Sequence, residues 1–232
     1  MSESPPRAVG WARGTAEAAA APPGTAGYGE AAARLAEQYE SVSFEEVHRE
    51  ALHLFPAQPC AVLDIGAGSG RDAAALAGRG HRVAAVEPTP QLRELGRRLH
   101  AGRDIEWIDD ALPRLSGLHA HGRRFDLILL TAVWMHLDEA ERRTAMPRVA
   151  ALLRPGGRLM LSLRHGPVPA GRRMFDVPAE EAVCLAAGQG LRVVHESRRG
   201  DLHGREDVWW SRLVLEGGTE EGRRAAGGSP EA

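Results

Sequence analysis

Acids stand at three places where an apolar run gives way to a turn. They are Asp64 in Val62-Leu63-Asp64-Ile65-Gly66-Ala67-Gly68-Ser69-Gly70, Glu87 in Val86-Glu87-Pro88, and the pair Asp109-Asp110 ahead of Ala111. Glycines let the backbone turn tightly and let a ligand approach the main chain. A helix that follows presents unpaired N–H groups. The spacing is G-x-G-x-G, whereas a dinucleotide fold prefers G-x-G-x-x-G. An acid two residues before the first glycine suits a cationic group such as an α-ammonium and repels pyrophosphate. At the place of Glu87 an acid can accept both hydroxyls of a ribose, and at Asp109 or Asp110 it can take an adenine amino group. Acids after three successive strands, without a basic phosphate clamp, describe an adenosine joined to an amino acid better than a phosphate-bearing nucleotide.

The elements that must hold these residues alternate. Tyr28 to Phe55 reads as a helix, with Ala32, Leu35, Ala36 and Tyr39 at helical spacing. Residues 61–65, 82–86, 105–108, 125–131 and 158–163 read as strands. Helices are expected at 72–78, 90–100, 138–153 (N-cap Asp138, interrupted by Pro147) and 178–188. Two further strands, 191–195 and 208–215, are joined by a short link and form an antiparallel edge pair. Strands alternating with helices imply a mostly parallel α/β sheet covered on both faces. Residues 1–26 and 217–232 are rich in Ala, Pro and Gly and read as disordered ends. The intervening segment, 27–216, is one domain capped by its N-terminal helix.

The ordered segments Val62–Gly70, Glu87-Pro88, Asp110-Ala111, Phe125–Leu129 and Leu153-Arg154-Pro155-Gly156-Gly157 resemble the signatures of class I S-adenosylmethionine (SAM)-dependent methyltransferases. The resemblance implies a Rossmann-like seven-stranded sheet of order 3-2-1-4-5-7-6 with strand 7 antiparallel. It places Gly66, Ala67, Gly68 and Gly70 against the amino-acid part of SAM. Glu87, with Pro88, lies on the ribose, Asp110 and the Ala111 amide on the adenine, and Thr131 beside the sulfonium. Arg71 either reaches the SAM carboxylate or is a surface helix residue.

The methyl of a sulfonium is an electrophile. The protein must place a nucleophile in line with it and remove a proton where the nucleophile carries one. After the fourth strand, Trp134 offers an aromatic wall for a flat acceptor. His136 is either a general base or a residue that builds the loop. After the fifth strand, His165 is the first candidate for base or substrate orienter and Arg164 for holding an acceptor anion. The alternative pairs Arg164 with a local carboxylate and leaves His165 to shape the turn. Arg172-Arg173-Met174-Phe175 forms a lid, with Phe175 on the substrate. Tyr28 and Tyr39 either face the site, Tyr28 as a catalytic hydroxyl, or pack in the core. Trp209 and Trp210, neighbours in a strand, face opposite sides of the sheet and pack. Asp201 and His203 carry no expected chemistry.

Composition narrows the partners. All 29 basic residues are arginines, against 31 acidic residues, for a formal charge of -2. That gives no footprint for a polyanion, although Arg123-Arg124, Arg142-Arg143, Arg172-Arg173 and Arg198-Arg199 leave a local basic face open, as a tRNA- or rRNA-modifying enzyme would need. These pairs are expected at a solvated surface. Two isolated cysteines and no Cys/His ligand spacing predict neither metal nor disulfide. No signal segment or apolar span is visible, so a cytoplasmic setting is expected. There is no Asn/Asp-Pro-Pro-Tyr run of the amino-methylating DNA enzymes. A small-molecule acceptor methylated at O, N or an electron-rich aromatic carbon such as indole remains, with S-adenosylhomocysteine (SAH) as product. A non-catalytic SAM- or nucleotide-binding protein is the further alternative, and the oligomeric state is left open.

Overall fold

The computed structural model describes residues 22–218. Seven strands form one sheet: β1 (Ala61–Ile65), β2 (Arg82–Val86), β3 (Ile105–Ile108), β4 (Phe125–Thr131), β5 (Leu153–His165), β6 (Leu191–Gly200) and β7 (Trp209–Gly217). Their order is β3-β2-β1-β4-β5-β7-β6. The first five are parallel, and β7 runs antiparallel to both β5 and β6. This is the expected topology. All five residues of β1 are buried, as a continuous apolar run in a doubly covered sheet requires.

Two apolar clusters sandwich the sheet. Ala61, Leu63 and Ile65 of β1 face one with Ile128, Leu130 and Leu161, and Val62 faces the other with Leu127, Leu129 and Met160. The helices are α1 (Ala32–Glu40), α2 (Phe44–His48), α3 (Arg71–Gly78), α4 (Pro90–Leu99), α5 (Ser116–Ala120), α6 (Glu139–Ala151) and α7 (Ala179–Ala187). Asp138 caps α6 as expected. Its carboxylate accepts from the Glu141 amide while Glu141 accepts from the Asp138 amide, a reciprocal box worth about 1 kcal/mol. The helix runs on through Pro147.

Four local expectations are corrected. The single helix over 28–55 is three pieces, because Ser43 and Glu46 form a second capping box that starts α2 afresh and Arg49–Leu54 tightens into a 3-10 turn. β5 begins at Leu153, taking in the Pro-Gly-Gly turn through a register shift opposite Phe125 and Leu127. The edge hairpin is longer than read, and the short α5 carries no clear periodic signal. Residues 22–26, assigned to a disordered end, hold the 3-10 turn Pro23–Thr25, pinned by the Thr25 hydroxyl donating to the Pro22 carbonyl at 2.7 Å. At the other end Gly217, assigned to the disordered tail, closes β7, and the remaining terminal residues, 1–21 and 219–232, lie outside the described residues.

Candidate active site

One cavity of about 840 Å³ opens beyond the carboxyl ends of the strands, where ligands of open α/β sheets lie. It falls at the larger end of the roughly 300–1,000 Å³ range of small-molecule sites. Its walls come from both sequence groups that promised chemistry.

The loop after β1 forms one end. Gly66 and Gly68 adopt φ of 70° and 60°, a region that L side chains avoid. A Cβ on Gly66 would meet a Val133 methyl at 2.6 Å, and one on Gly68 the Tyr39 ring at 3.2 Å. The loop is held by the Gly66 and Ala67 amides donating to the Val86 carbonyl at 2.8 and 3.0 Å. Glu87, buried, accepts from the Gly68 amide and the Thr89 amide, each at 2.8 Å. Two carboxylate oxygens offer about four acceptor positions, so Glu87 keeps capacity toward the cavity. Burial pushes its pKa up.

Asp64 is buried on the cavity wall, and its Oδ2 has no hydrogen-bond partner among the described residues. Burial, with Asp72 and Glu87 nearby, raises its pKa well above the usual carboxylate range. A buried orphan oxygen between two other acids is a position that a cation completes. The loop, Asp64 and Glu87 therefore fit the amino-acid and ribose parts of SAM. Pro88, Ala67 and the Ala111-Leu112 backbone line the same space.

Asp72, which sequence reasoning missed, organises the loop from behind. It accepts from His48 Nε2, Arg71 Nε and the Thr131 hydroxyl, each at 2.8 Å. Arg71, Asp72's neighbour in sequence, holds its carboxyl well below the ordinary range, helped by His48. Arg212 donates to His48 Nδ1 at 2.7 Å, so the His48 proton sits on Nε2, toward Asp72. Arg71 is neither a surface residue nor free, since its Nη1 also donates to the Tyr39 carbonyl at 3.2 Å. Only the position of Asp72, in the first turn of the helix after the glycines, hinted at this network.

The other end is built by the segment after β4. Ala132 takes a positive φ of 60° and donates its amide to the Ser162 hydroxyl at 2.9 Å. His136 is buried, and its Nδ1 lies 2.8 Å from the Arg173 carbonyl. A carbonyl only accepts, so Nδ1 carries the proton and Nε2 is the acceptor. The Tyr28 hydroxyl lies 2.9 Å from that Nε2 and donates to it. Burial, with Arg172 and Arg173 close by, lowers the His136 pKa, and burial raises that of Tyr28. The Arg172 guanidinium sits 3.8 Å over the Tyr28 ring. Arg173 fixes the lid by donating to the His136 carbonyl, Glu141 and Asp138.

Several candidates lie elsewhere. Trp134 is fully buried in the core and lines no part of the cavity, so it is no acceptor wall. Side chains alternate along β5: Ser162 and Arg164 face the cavity, and His165 points to the opposite side. There His165 bonds Asp176 and the Ser211 hydroxyl at 3.0 Å each and stacks on Trp209 with 3.8 Å between ring centroids. Phe175 is turned outward, while Arg172 and Met174 line the cavity. Gly70 starts α3 at φ 91°, and its missing Cβ makes room for the Trp107 ring rather than for a ligand. Asp109 is exposed and paired with Arg93 at 2.7 Å. The carboxylate of Asp110 is taken by the Ala111 and Leu118 amides at 2.8 and 3.1 Å, which anchors α5.

In the other direction, the β6–β7 hairpin supplies Arg199 of β6, Trp210 of β7 and, from the loop between them, Arg205 with Asp201 and His203, the two residues expected to carry no chemistry. Trp209 and Trp210 do face opposite sides. Members of three of the arginine pairs are not surface decoration, Arg199 on the cavity wall among them. Arg142 is buried in a two-bond pair with Glu181, and Arg172-Arg173 belong to the lid. No group of three metal-ligating side chains occurs among the described residues, and none of their helices is long and apolar enough to cross a membrane. Cys60 and Cys184 are unpaired thiols.

The sheet order, the glycine loop and the acids behind it define the class I SAM-dependent methyltransferase fold. Residues 62–157 match a family described as a methyltransferase domain. An uncharacterized methyltransferase of Mycobacterium tuberculosis is 35% identical over 115 residues, covering 47% of this chain and 41% of that protein. A demethylmenaquinone methyltransferase of Clavibacter sepedonicus is 32% identical over 119 residues, covering 50% and 46%. The chain thus spans less than half the length of these curated relatives. Among solved structures, the 1,6-didemethyltoxoflavin-N1-methyltransferase of Burkholderia thailandensis is 26% identical. It covers 88% of this chain and 93% of its own, with a TM-score of 0.60. That protein holds 1,6-didemethyltoxoflavin and SAH.

Proposed function

We propose that this protein transfers the methyl group of SAM to a small-molecule acceptor and releases SAH. The observation that carries the reading is the buried, partnerless Oδ2 of Asp64, a residue that lines the same cavity as the glycine loop. A cationic amino-acid ligand supplies what that oxygen lacks. Bound SAM supplies an electrophilic methyl on a sulfonium. Asp64 receives the ammonium, and Glu87 accepts the ribose hydroxyls while still holding the Gly68 amide. Asp72 and Thr131 keep the wall between the two ends rigid.

The acceptor's proton goes to the Tyr28–His136 pair. As the Tyr28 oxygen takes a proton from the acceptor, its own passes to His136 Nε2. The resulting imidazolium keeps its Nδ1–H on the Arg173 carbonyl. The depressed His136 pKa keeps the ring neutral, and so able to accept, at neutral pH. Arg172 over the Tyr28 ring favours anionic character on that phenol.

The acceptor end has room for a planar molecule against Trp210 and Met174. The tRNA or rRNA reading finds less support, because Arg142, Arg173 and Arg123 are engaged by carboxylates. A small-molecule enzyme in the cytoplasm is the setting we infer. Calorimetry with SAM and with NAD tests the reading: SAM must bind and Asp64→Ala must weaken it. Binding of NAD in place of SAM refutes it.

A further inference from the structure

We propose that the acceptor carries an oxyanion, in the first instance a carboxylate, and that Arg164 receives it. This deepens the methyl-transfer reading and rests on it. Arg164 lies at the end of β5, only 7% exposed, and its guanidinium forms part of the acceptor wall. The protein gives that guanidinium one contact, from Nη1 to the Gly166 carbonyl at 3.3 Å. Its Nε is buried without a partner, and no carboxylate among the described residues forms an ion pair with it. A buried guanidinium normally has a carboxylate or an equivalent anion.

The nearest acid on the wall cannot serve. Asp201 takes two bonds from Arg205 at 2.9 and 2.7 Å, one from Trp210 Nε1 at 3.1 Å, and the amides of His203 and Arg205. With about four acceptor positions on a carboxylate, Asp201 is saturated. Arg172 and Arg199, on the same wall, are also without an ion pair and lie over the rings of Tyr28 and Trp210. Glu141, the acid nearest the lid, is held by Arg173, and Glu30 stands exposed at the rim. Asp207 lies near Arg164 and Glu50 near Arg199, but neither acid forms an ion pair with its arginine, so the acceptor end keeps guanidinium groups without a bonded carboxylate, while the donor end gathers Asp64, Asp72 and Glu87. Trp210 lines the same wall as Arg164 and Tyr28 and offers an aromatic ring for the body of the molecule.

The test uses the full chain loaded with SAH and three probes of one shape: benzoate, phenyl phosphate and neutral benzamide, read by ligand-observed NMR. Benzoate is expected to bind at least about tenfold more tightly than benzamide. Arg164→Gln should abolish the difference, and Arg164→Lys should restore part of it. A stronger response to phenyl phosphate identifies a phosphoester as the anion and keeps Arg164 as its receptor. Equal binding of benzoate and benzamide to the native protein overturns the proposal, whatever the variants do. So does failure of both anions to bind, or a preference that survives Arg164→Gln in a variant that still binds SAH. Failure of SAH itself to bind overturns the methyl-transfer reading instead.

Discussion

The Tyr28 hydroxyl donates to Nε2 of His136 across 2.9 Å, joining a residue from the N-terminal cap to one from the turn after β4. The opposite nitrogen of the same ring is tied to the lid through the Arg173 carbonyl. Three separate stretches of chain thus converge on one imidazole. Tyr28→Phe and His136→Gln should each lower kcat by about a hundredfold to ten-thousandfold, with SAM affinity from calorimetry nearly unchanged. A parallel loss of SAM affinity would move the pair from proton transfer to donor binding.

The pH dependence follows from the same ring. Burial and the neighbouring arginines disfavour the imidazolium, so the His136 pKa lies below its ordinary 6.5. A base works only when unprotonated. The acid limb of kcat/KM should therefore rise with pH and level off before the plateau expected of an ordinary histidine. A limb centred above 6.5 would contradict the assignment.

Asp64 gives a second proton signature. Its raised pKa means that the empty site holds its proton to higher pH than an ordinary carboxylic acid does. An ammonium beside it favours the carboxylate and lowers that pKa, so binding SAM must release the proton. Calorimetry in buffers of different ionisation heat should detect the release below neutrality. Asp64→Asn should abolish it and weaken SAM by about tenfold or more, the loss of one hydrogen bond to a charged group.

The glycine cradle is sensitive to a single methyl. Gly66→Ala places an L residue at φ 70° and a Cβ within 2.6 Å of Val133. The backbone cost alone is about 1–2 kcal/mol, or about 2–8 °C in Tm for a domain of this size. Thermal melts with and without SAM should show the shift and a smaller stabilisation by ligand.

His165 provides a contrast. Its two hydrogen bonds and its stack on Trp209 lie across the sheet from the cavity. His165→Ala should cost about 1–3 kcal/mol of stability in denaturant unfolding and leave KM for SAM unchanged. A drop in turnover without a drop in stability would restore it to the chemistry.

The donor half was legible in sequence because its signal is local. Asp64, the glycines and Glu87 sit at strand ends within 24 residues of one another, and strand ends in such a sheet share one edge. The acceptor half depends on which face a side chain takes and on loops far apart in sequence. Arg164 and His165 are neighbours with equal chemical promise, and only the two-residue period of β5 separates them. Trp134 looked like a wall because its segment borders the site, yet its ring turns into the core beneath Met135 and His136. Asp72 and Asp201 gain their roles from partners as far as 59 and 9 residues away, which no periodicity reveals.

The match to the methyltransferase domain ends at residue 157, and Arg164, the lid and the β6–β7 loop all come after it. Part of the proposed acceptor wall therefore follows the matched segment, while His136 lies inside that segment and Tyr28 ahead of it. A chimera that keeps this protein through the Pro-Gly-Gly turn and takes its remainder from a relative should inherit the donor of one parent and the appetite of the other.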